Sequence, residues 1–134
     1  MLNPYRIIQH HNPGRLLFGL EAIKKLPQEI PAGLKPLIVT DPGLAKAGVL
    51  KQLTDLLDQA GRPHAVFDRT VPDPSYECVA EAAEIYRSAG CSALIALGGG
   101  SSMDAAKAVG VSVNNPGQLA DYLKKPYSPL PFFV

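Results

Sequence analysis

The residues best suited to chemistry lie in one segment, Gly98-Gly99-Gly100-Ser101-Ser102-Met103-Asp104-Ala105-Ala106-Lys107. It directly follows the apolar run Ala93-Leu94-Ile95-Ala96-Leu97, so a strand feeds a glycine-rich turn that opens a helix. Such a turn gathers backbone N–H groups and the positive end of the helix dipole at one point, which is what holding a phosphate requires. Glycine there lets the backbone approach an anion that a Cβ would keep away. Plainer readings stand beside this one. Ser101 and Asp104 have the spacing of a capping box, with Ser101 as N-cap, and the glycines can form a tight structural turn, although fewer would suffice. Lys107 is either a solvated cation or an i,i+3 partner of Asp104.

The second candidate is Asp41, which closes the earlier apolar run Leu37-Ile38-Val39-Thr40. A G-x-G-x-x-G fingerprint after a first strand is absent, so a nucleotide would lie across several strand ends. That agrees with the rule that ligands bind at the carboxyl edge of an open parallel sheet, where Asp41 can receive ribose hydroxyls. An ordinary turn aspartate before Pro42-Gly43 fits the same residues. No residue reads as a catalytic acid, base or nucleophile, and none as a metal ligand. His10 and His11 are adjacent, a poor arrangement for sharing one metal, and His64 precedes a different strand. Cys78 and Cys91 match neither a CxxC pair nor a zinc pattern and read as small buried hydrophobes. Tyr122 and Tyr127 read as packing or cleft-rim residues.

Three short apolar runs bounded by Gly, Pro or Asp must position these groups: Leu37–Thr40, Ala65–Phe67 and Ala93–Leu97. Each is too short for a helix and reads as a buried strand. Between them the period changes. Leu50, Leu53, Leu57 and Ala60 share one helical face that Gly61 stops, and Val79, Ala82 or Ala83, Tyr86 and Ala89 repeat the pattern before Gly90. The strands begin about 27 to 29 residues apart, the repeat of a βαβ unit, so the fold class is α/β with an open, mostly parallel sheet and helices on both faces. Near the start, Arg6-Ile7-Ile8 and Leu16-Leu17-Phe18 flank Asn12-Pro13-Gly14 and suggest a β-hairpin or two edge strands; Leu20–Leu26 suggests a short helix ending before Pro27. The apolar run Pro129–Val134 reads as a strand at its beginning.

With 134 residues and 46% hydrophobic content, the chain fits a single domain, 1–134, with one sizeable core. Thirteen Lys and Arg against twelve Asp and Glu leave a net charge of +1, without the electrostatic footprint of a nucleic-acid binder. No apolar run approaches the roughly 18 residues of a membrane span, and the N-terminal residues do not form a signal peptide. With only two cysteines, a reducing cytoplasm is the expected setting. Thirteen prolines and twelve glycines are spread between the apolar segments as turns.

At the glycine segment the sequence resembles the iron-containing (group III) alcohol dehydrogenases. Gly98-Gly99-Gly100-Ser101 with Asp104, Ala106 and Lys107 matches the family's GGGSxxDxAK segment, and Val39-Thr40-Asp41 matches its first strand end. Val71-Pro72-Asp73-Pro74-Ser75 is similar to its P-N-P-T stretch, with Asp73 in place of Asn and Ser75 in place of Thr. The resemblance implies a Rossmann-like, dehydroquinate synthase-like NAD-binding domain. Gly98, Gly99, Gly100, Ser101 and Ser102 would hold the cofactor pyrophosphate, Asp104 would sit near the nicotinamide ribose, and Asp41 would hold the adenosine ribose diol. A carboxylate at position 41 would favour NAD over NADP. The family also implies hydride transfer between a small alcohol or aldehyde and NAD(H), a homo-oligomer, and Fe2+ or another divalent metal such as Zn2+, whose ligands lie in a helical domain not found in this sequence. The expectation is therefore a truncated dinucleotide-binding half that is inactive alone. Competing readings are a glycerol or polyol dehydrogenase relative, a non-catalytic module for phosphate ligands, and a purely structural fragment acting through its C-terminal apolar strand.

Overall fold

The computed structural model describes residues 14–123 and 131–134. The three apolar runs form parallel strands β1 (Pro36–Val39), β2 (Ala65–Phe67) and β3 (Ala93–Ala96), and the C-terminal run supplies β4 (Phe132–Phe133). The sheet order is β2-β1-β3-β4, with every pairing parallel. Parallel neighbours require crossovers, and the helices provide them: α3 (Val49–Gln59) between β1 and β2, α4 (Tyr76–Ser88) between β2 and β3, and α5 (Gly100–Asn114) after β3.

Both faces of the sheet are covered, as the continuous burial of β1 and β3 demands. Leu37, Val39 and Leu94 pack with Val79, Ala82, Ala83 and Tyr86 of α4 and with Ala105, Ala106 and Val109 of α5. Ile38 and Ile95 point the other way, against Leu53 and Leu57 of α3 and against Leu26 and Ile30. The period of two along the strands and the helical period along α3 and α4 thus meet in two apolar layers. Gly90, at φ 68°, takes the left-handed conformation that closes α4.

The N-terminal part differs from the sequence expectation. Leu16-Leu17-Phe18 belongs to no strand, and Arg6-Ile7-Ile8 lies outside the described residues, as do His10, His11 and Tyr127. The helix expected to stop before Pro27 instead passes through it: a 3-10 turn, Ala22–Lys25, runs into α1 (Leu26–Glu29), with Pro27 in the first turn. Proline is acceptable there because the first helical N–H groups have no intrahelical acceptor. Among the described residues no helix is long and apolar enough to cross a membrane.

The half-buried Cys91 packs against the α4–α5 layer beside Tyr86, whose carbonyl accepts from the Cys91 N–H at 2.9 Å. Burial pushes the Cys91 thiol above its ordinary value, against an opposing pull from Lys35, and burial also raises the Tyr86 phenol, with Cys91 adding to it. Both groups therefore favour the folded state while protonated, and that contribution disappears as pH rises from their ordinary values through the raised folded ones. Chemical denaturation midpoints should fall with increasing alkalinity, and C91A should flatten the fall; an unchanged slope in C91A would remove the thiol from this account. On the opposite face, Leu57 is fully buried, and L57A should lower stability by about 2–5 kcal/mol in urea melts.

Candidate functional site

In the order β2-β1-β3-β4 the chain leaves β1 toward one side of the sheet and leaves β3 toward the other, so the crevice between their carboxyl ends is the topological switch point. Val39 of β1 pairs with Ala96 of β3, which brings the two strands to their ends together. Just beyond that level lie Thr40 and Asp41 on one side and Leu97 and Gly98 on the other. Backbone and side chain tie them: Leu97 N–H donates to the Val39 carbonyl at 3.0 Å, and Thr40 Oγ1 donates to the Leu97 carbonyl at 2.7 Å. The two candidate regions, far apart in sequence, are thus neighbours.

Asp41 is the N-cap of the short helix α2 (Pro42–Lys46), its Oδ1 accepting from Leu44 N–H at 3.0 Å. Its capping role is real, and it leaves the second oxygen turned toward the glycine turn. A Cβ placed on Gly98 would lie 3.3 Å from Asp41 Oδ2, 3.1 Å from Leu44 Cδ1 and 3.1 Å from Ser102 Oγ. Gly98 also has φ 135°, a conformation that side chains rarely adopt.

Gly99 and Gly100 are different. Gly99, the N-cap of α5, has φ −92°, and a Cβ on either residue would meet no atom within 4 Å. Of these three glycines, packing among the described residues demands glycine at 98, whereas positions 99 and 100 are left bare before open space. The capping box is not formed. Gly99 occupies the N-cap, no side chain caps the helix, and Ser101 lies inside the first turn. The N–H groups of that turn therefore have neither intrahelical acceptors nor a side-chain cap.

Ser102, also in the first turn, is 1% exposed, and among the described residues its Oγ has no hydrogen-bond partner. Thr70 Oγ1 is likewise buried and unpartnered, beside Thr40, whose carbonyl accepts from Thr70 N–H at 3.1 Å. The Ser102 hydroxyl thus lies beneath the turn, by Gly98, while Ser101 is half-buried and Asp104 exposed. Asp104 and Lys107 form no ion pair; Lys107 instead lines a cavity of about 490 Å³ with Gly98, Leu97, Met103, Arg15 and Ile23.

In the loop after β2, Asp73 has φ 50°. A left-handed residue is best tolerated as Gly, Asn or Asp, which explains the exchange of Asn for Asp here on conformational grounds. Ser75 caps α4 by accepting from Cys78 N–H at 3.2 Å. Among the described residues no group of three or more His, Cys, Asp or Glu is arranged to hold a metal. His64 Nδ1 instead lies 3.0 Å from the Arg62 carbonyl, Tyr122 bonds the Pro116 carbonyl, and both cysteines are free thiols.

A family model described as iron-containing alcohol dehydrogenase matches residues 13–134. The chain belongs to that family. It is 42% identical over 112 residues to a choline dehydrogenase of Bacillus subtilis, covering 82% of this chain and 28% of the relative. It is 41% identical over 101 residues to a lactaldehyde reductase of Escherichia coli, covering 74% of this chain and 26% of the relative. Among solved structures, the NADH-dependent butanol dehydrogenase A of Thermotoga maritima superposes with a TM-score of 0.83 at 30% identity, over 95% of this chain and 33% of that one. A sulfoacetaldehyde reductase from Bifidobacterium kashiwanohense in complex with NAD+ gives 0.79 at 27%, over 95% and 34%. The chain thus spans about a third or less of the length of these iron-containing alcohol dehydrogenases and their kin.

The unpartnered Ser102 hydroxyl gives an unusual sign to mutation. S102A removes a buried group with no bond to lose, so thermal stability of the ligand-free chain should stay level or rise, by up to about 1–3 kcal/mol. G98A should lower it through the positive φ and the contacts with Asp41, Leu44 and Ser102. A marked loss in S102A would show that its hydroxyl has a bond.

Proposed function

We propose that this chain is the NAD-binding domain of a metal-dependent alcohol dehydrogenase. The observation that carries the reading is the bare turn: Gly99 and Gly100 face open space, uncapped, ahead of a 15-residue helix. A diphosphate fits there, accepting from the N–H groups of Gly99, Gly100, Ser101 and Ser102, with the Ser102 hydroxyl beneath Gly98 as a further donor. Asp41, one strand away, receives the adenosine ribose diol through the oxygen not engaged by Leu44, and Asp104 lies on the nicotinamide ribose side. The carboxylate favours NAD over NADP, because a 2′-phosphate would meet a like charge.

Bound there, NAD would supply a hydride acceptor for an alcohol and, as NADH, a hydride donor for an aldehyde. This chain's share is binding and orientation. Among the described residues no group of three or more His, Cys, Asp or Glu could hold a divalent metal, and in this reading the Fe2+ or Zn2+ site and the contacts to the small alcohol or aldehyde belong to the part of the family's length that this chain does not span. The chain by itself is accordingly expected to turn over no substrate. A cytoplasmic homo-oligomer is the proposed setting of the whole protein.

Titration of the isotopically labelled chain with NADH, followed by amide NMR, tests the reading at affinities as weak as millimolar. Shifts should concentrate at residues 98–102 and at Asp41. Shifts at the glycine turn alone, reproduced by inorganic phosphate, would instead favour a general phosphate-ligand module, and no shift near the turn would remove the cofactor site.

A further inference from the structure

Of the two charged residues on α5, Asp104 has a place in the proposed site and Lys107 has none. Lys107 is half-buried and, among the described residues, takes part in no ion pair or hydrogen bond. It lines the cavity of about 490 Å³ together with Leu97, Gly98, Met103, Val134 and Arg15. Arg15 is paired with Glu29, and no acidic residue is among the described residues that line the cavity, so its uncompensated charge is the Lys107 ammonium. Lys107 follows Gly100 by seven positions, about two helical turns, which puts both on one face of α5 with Met103 between them. Long helical side chains lean toward the helix N-terminus, so Lys107 leans along that face toward the bare glycine turn.

We infer that Lys107 is a specificity-determining residue for the oxidation state of the cofactor: its ammonium makes the cavity a site for the neutral dihydronicotinamide of NADH and an unfavourable one for the cationic nicotinamide of NAD+. The inference rests on the proposed binding of a dinucleotide at the glycine turn. With the adenosine ribose at Asp41, beyond β1, the other half of the molecule leaves the diphosphate on the far side of the turn. The cavity lies on that side: Val134, which follows β4, lines it and Asp41 does not. Its volume and mostly apolar walls suit a flat uncharged ring. NAD+ and NADH differ at this end by one positive charge on the ring, and a cation held among apolar walls acts on that charge through less water than it would at the surface. Asp104 carries the opposite charge and pulls the other way, but it is exposed, where solvent and salt weaken its field, and it does not line the cavity. The half-buried cation therefore decides the sign.

The test titrates the full 134-residue chain, K107M and K107R with NADH, NAD+ and ADP-ribose at low salt, following the amides of residues 98–102. The unmodified chain should bind NADH about fivefold or more tightly than NAD+. K107M, which replaces the ammonium with an uncharged chain of similar length, should bring the two within about twofold, and K107R should keep the preference. ADP-ribose, which has no nicotinamide, separates the two ends of the ligand. If K107M weakens all three ligands by one common factor, the ammonium acts on the diphosphate and the inference falls. A full NADH preference in K107M, or equal binding of NADH and NAD+ by the unmodified chain, overturns it as well and leaves the cofactor site standing. No shift at the turn with any of the three ligands removes the cofactor site, and this inference with it.

Discussion

The parallel pairing of β1 with β3 is the constraint on which the rest depends. These strands are not consecutive in the chain, yet they are the central neighbours of the sheet, joined through the register from Pro36 and Ala93 to Val39 and Ala96. Beyond the last pair the union continues, through Leu97 N–H to Val39 and Thr40 Oγ1 to Leu97. A one-residue slip would turn Leu37 and Leu94 away from α4 and α5 and expose the wrong set of side chains to each layer. It would also separate Asp41 from Gly98. Core packing and site geometry are therefore specified by the same register.

The site itself is built from groups that the fold leaves incompletely used. Asp41 applies one carboxylate oxygen to the α2 cap and keeps the other toward the turn. The helix α5 starts from Gly99 with no side-chain cap, where a serine or aspartate N-cap would add roughly a few tenths of a kcal/mol. Ser102 and Thr70 bury hydroxyls without partners at the same edge of the sheet. Each omission lowers stability slightly, and they concentrate at the carboxyl ends of β1, β2 and β3, whereas the opposite end is closed by ordinary bonds such as Ser92 N–H to the Lys35 carbonyl at 2.8 Å. A folded chain can sustain a few such deficits because two apolar layers hold the sheet between them.

Much of this was legible in the residues because the relevant signals are local and strong. Ala65–Phe67 is a strand as read, Leu53 and Leu57 face the core as their spacing required, and Gly90 closes its helix. The glycine segment does open a helix after a strand, and Phe132–Phe133 does enter the sheet. What escaped the sequence depends on three-dimensional accidents of one or two ångströms. Ser101 has capping-box spacing, but the helix begins two residues earlier than that box needs, so Gly99 takes the N-cap. The burial of Ser102 is invisible in a run of two serines, since a helix places adjacent residues about 100° apart around its axis. Pro27 looked like a stop because proline breaks helix interiors, and only the position of the first turn reveals that it sits where proline is harmless. The left-handed Asp73 leaves a trace in composition alone, an Asp where an Asn is equally suited.

A choline dehydrogenase and a lactaldehyde reductase match this chain at 42% and 41% identity, although their names specify unlike substrates. The fold persists at a TM-score of 0.83 against a butanol dehydrogenase and 0.79 against a sulfoacetaldehyde reductase. What these proteins share with this chain is the fold that brings Asp41 and Gly98 together at the ends of β1 and β3, where the proposed reading would hold a dinucleotide. On that reading residues 1–134 contribute the nucleotide's site, the Asp41 carboxylate and the bare glycine turn set side by side by the β1–β3 register.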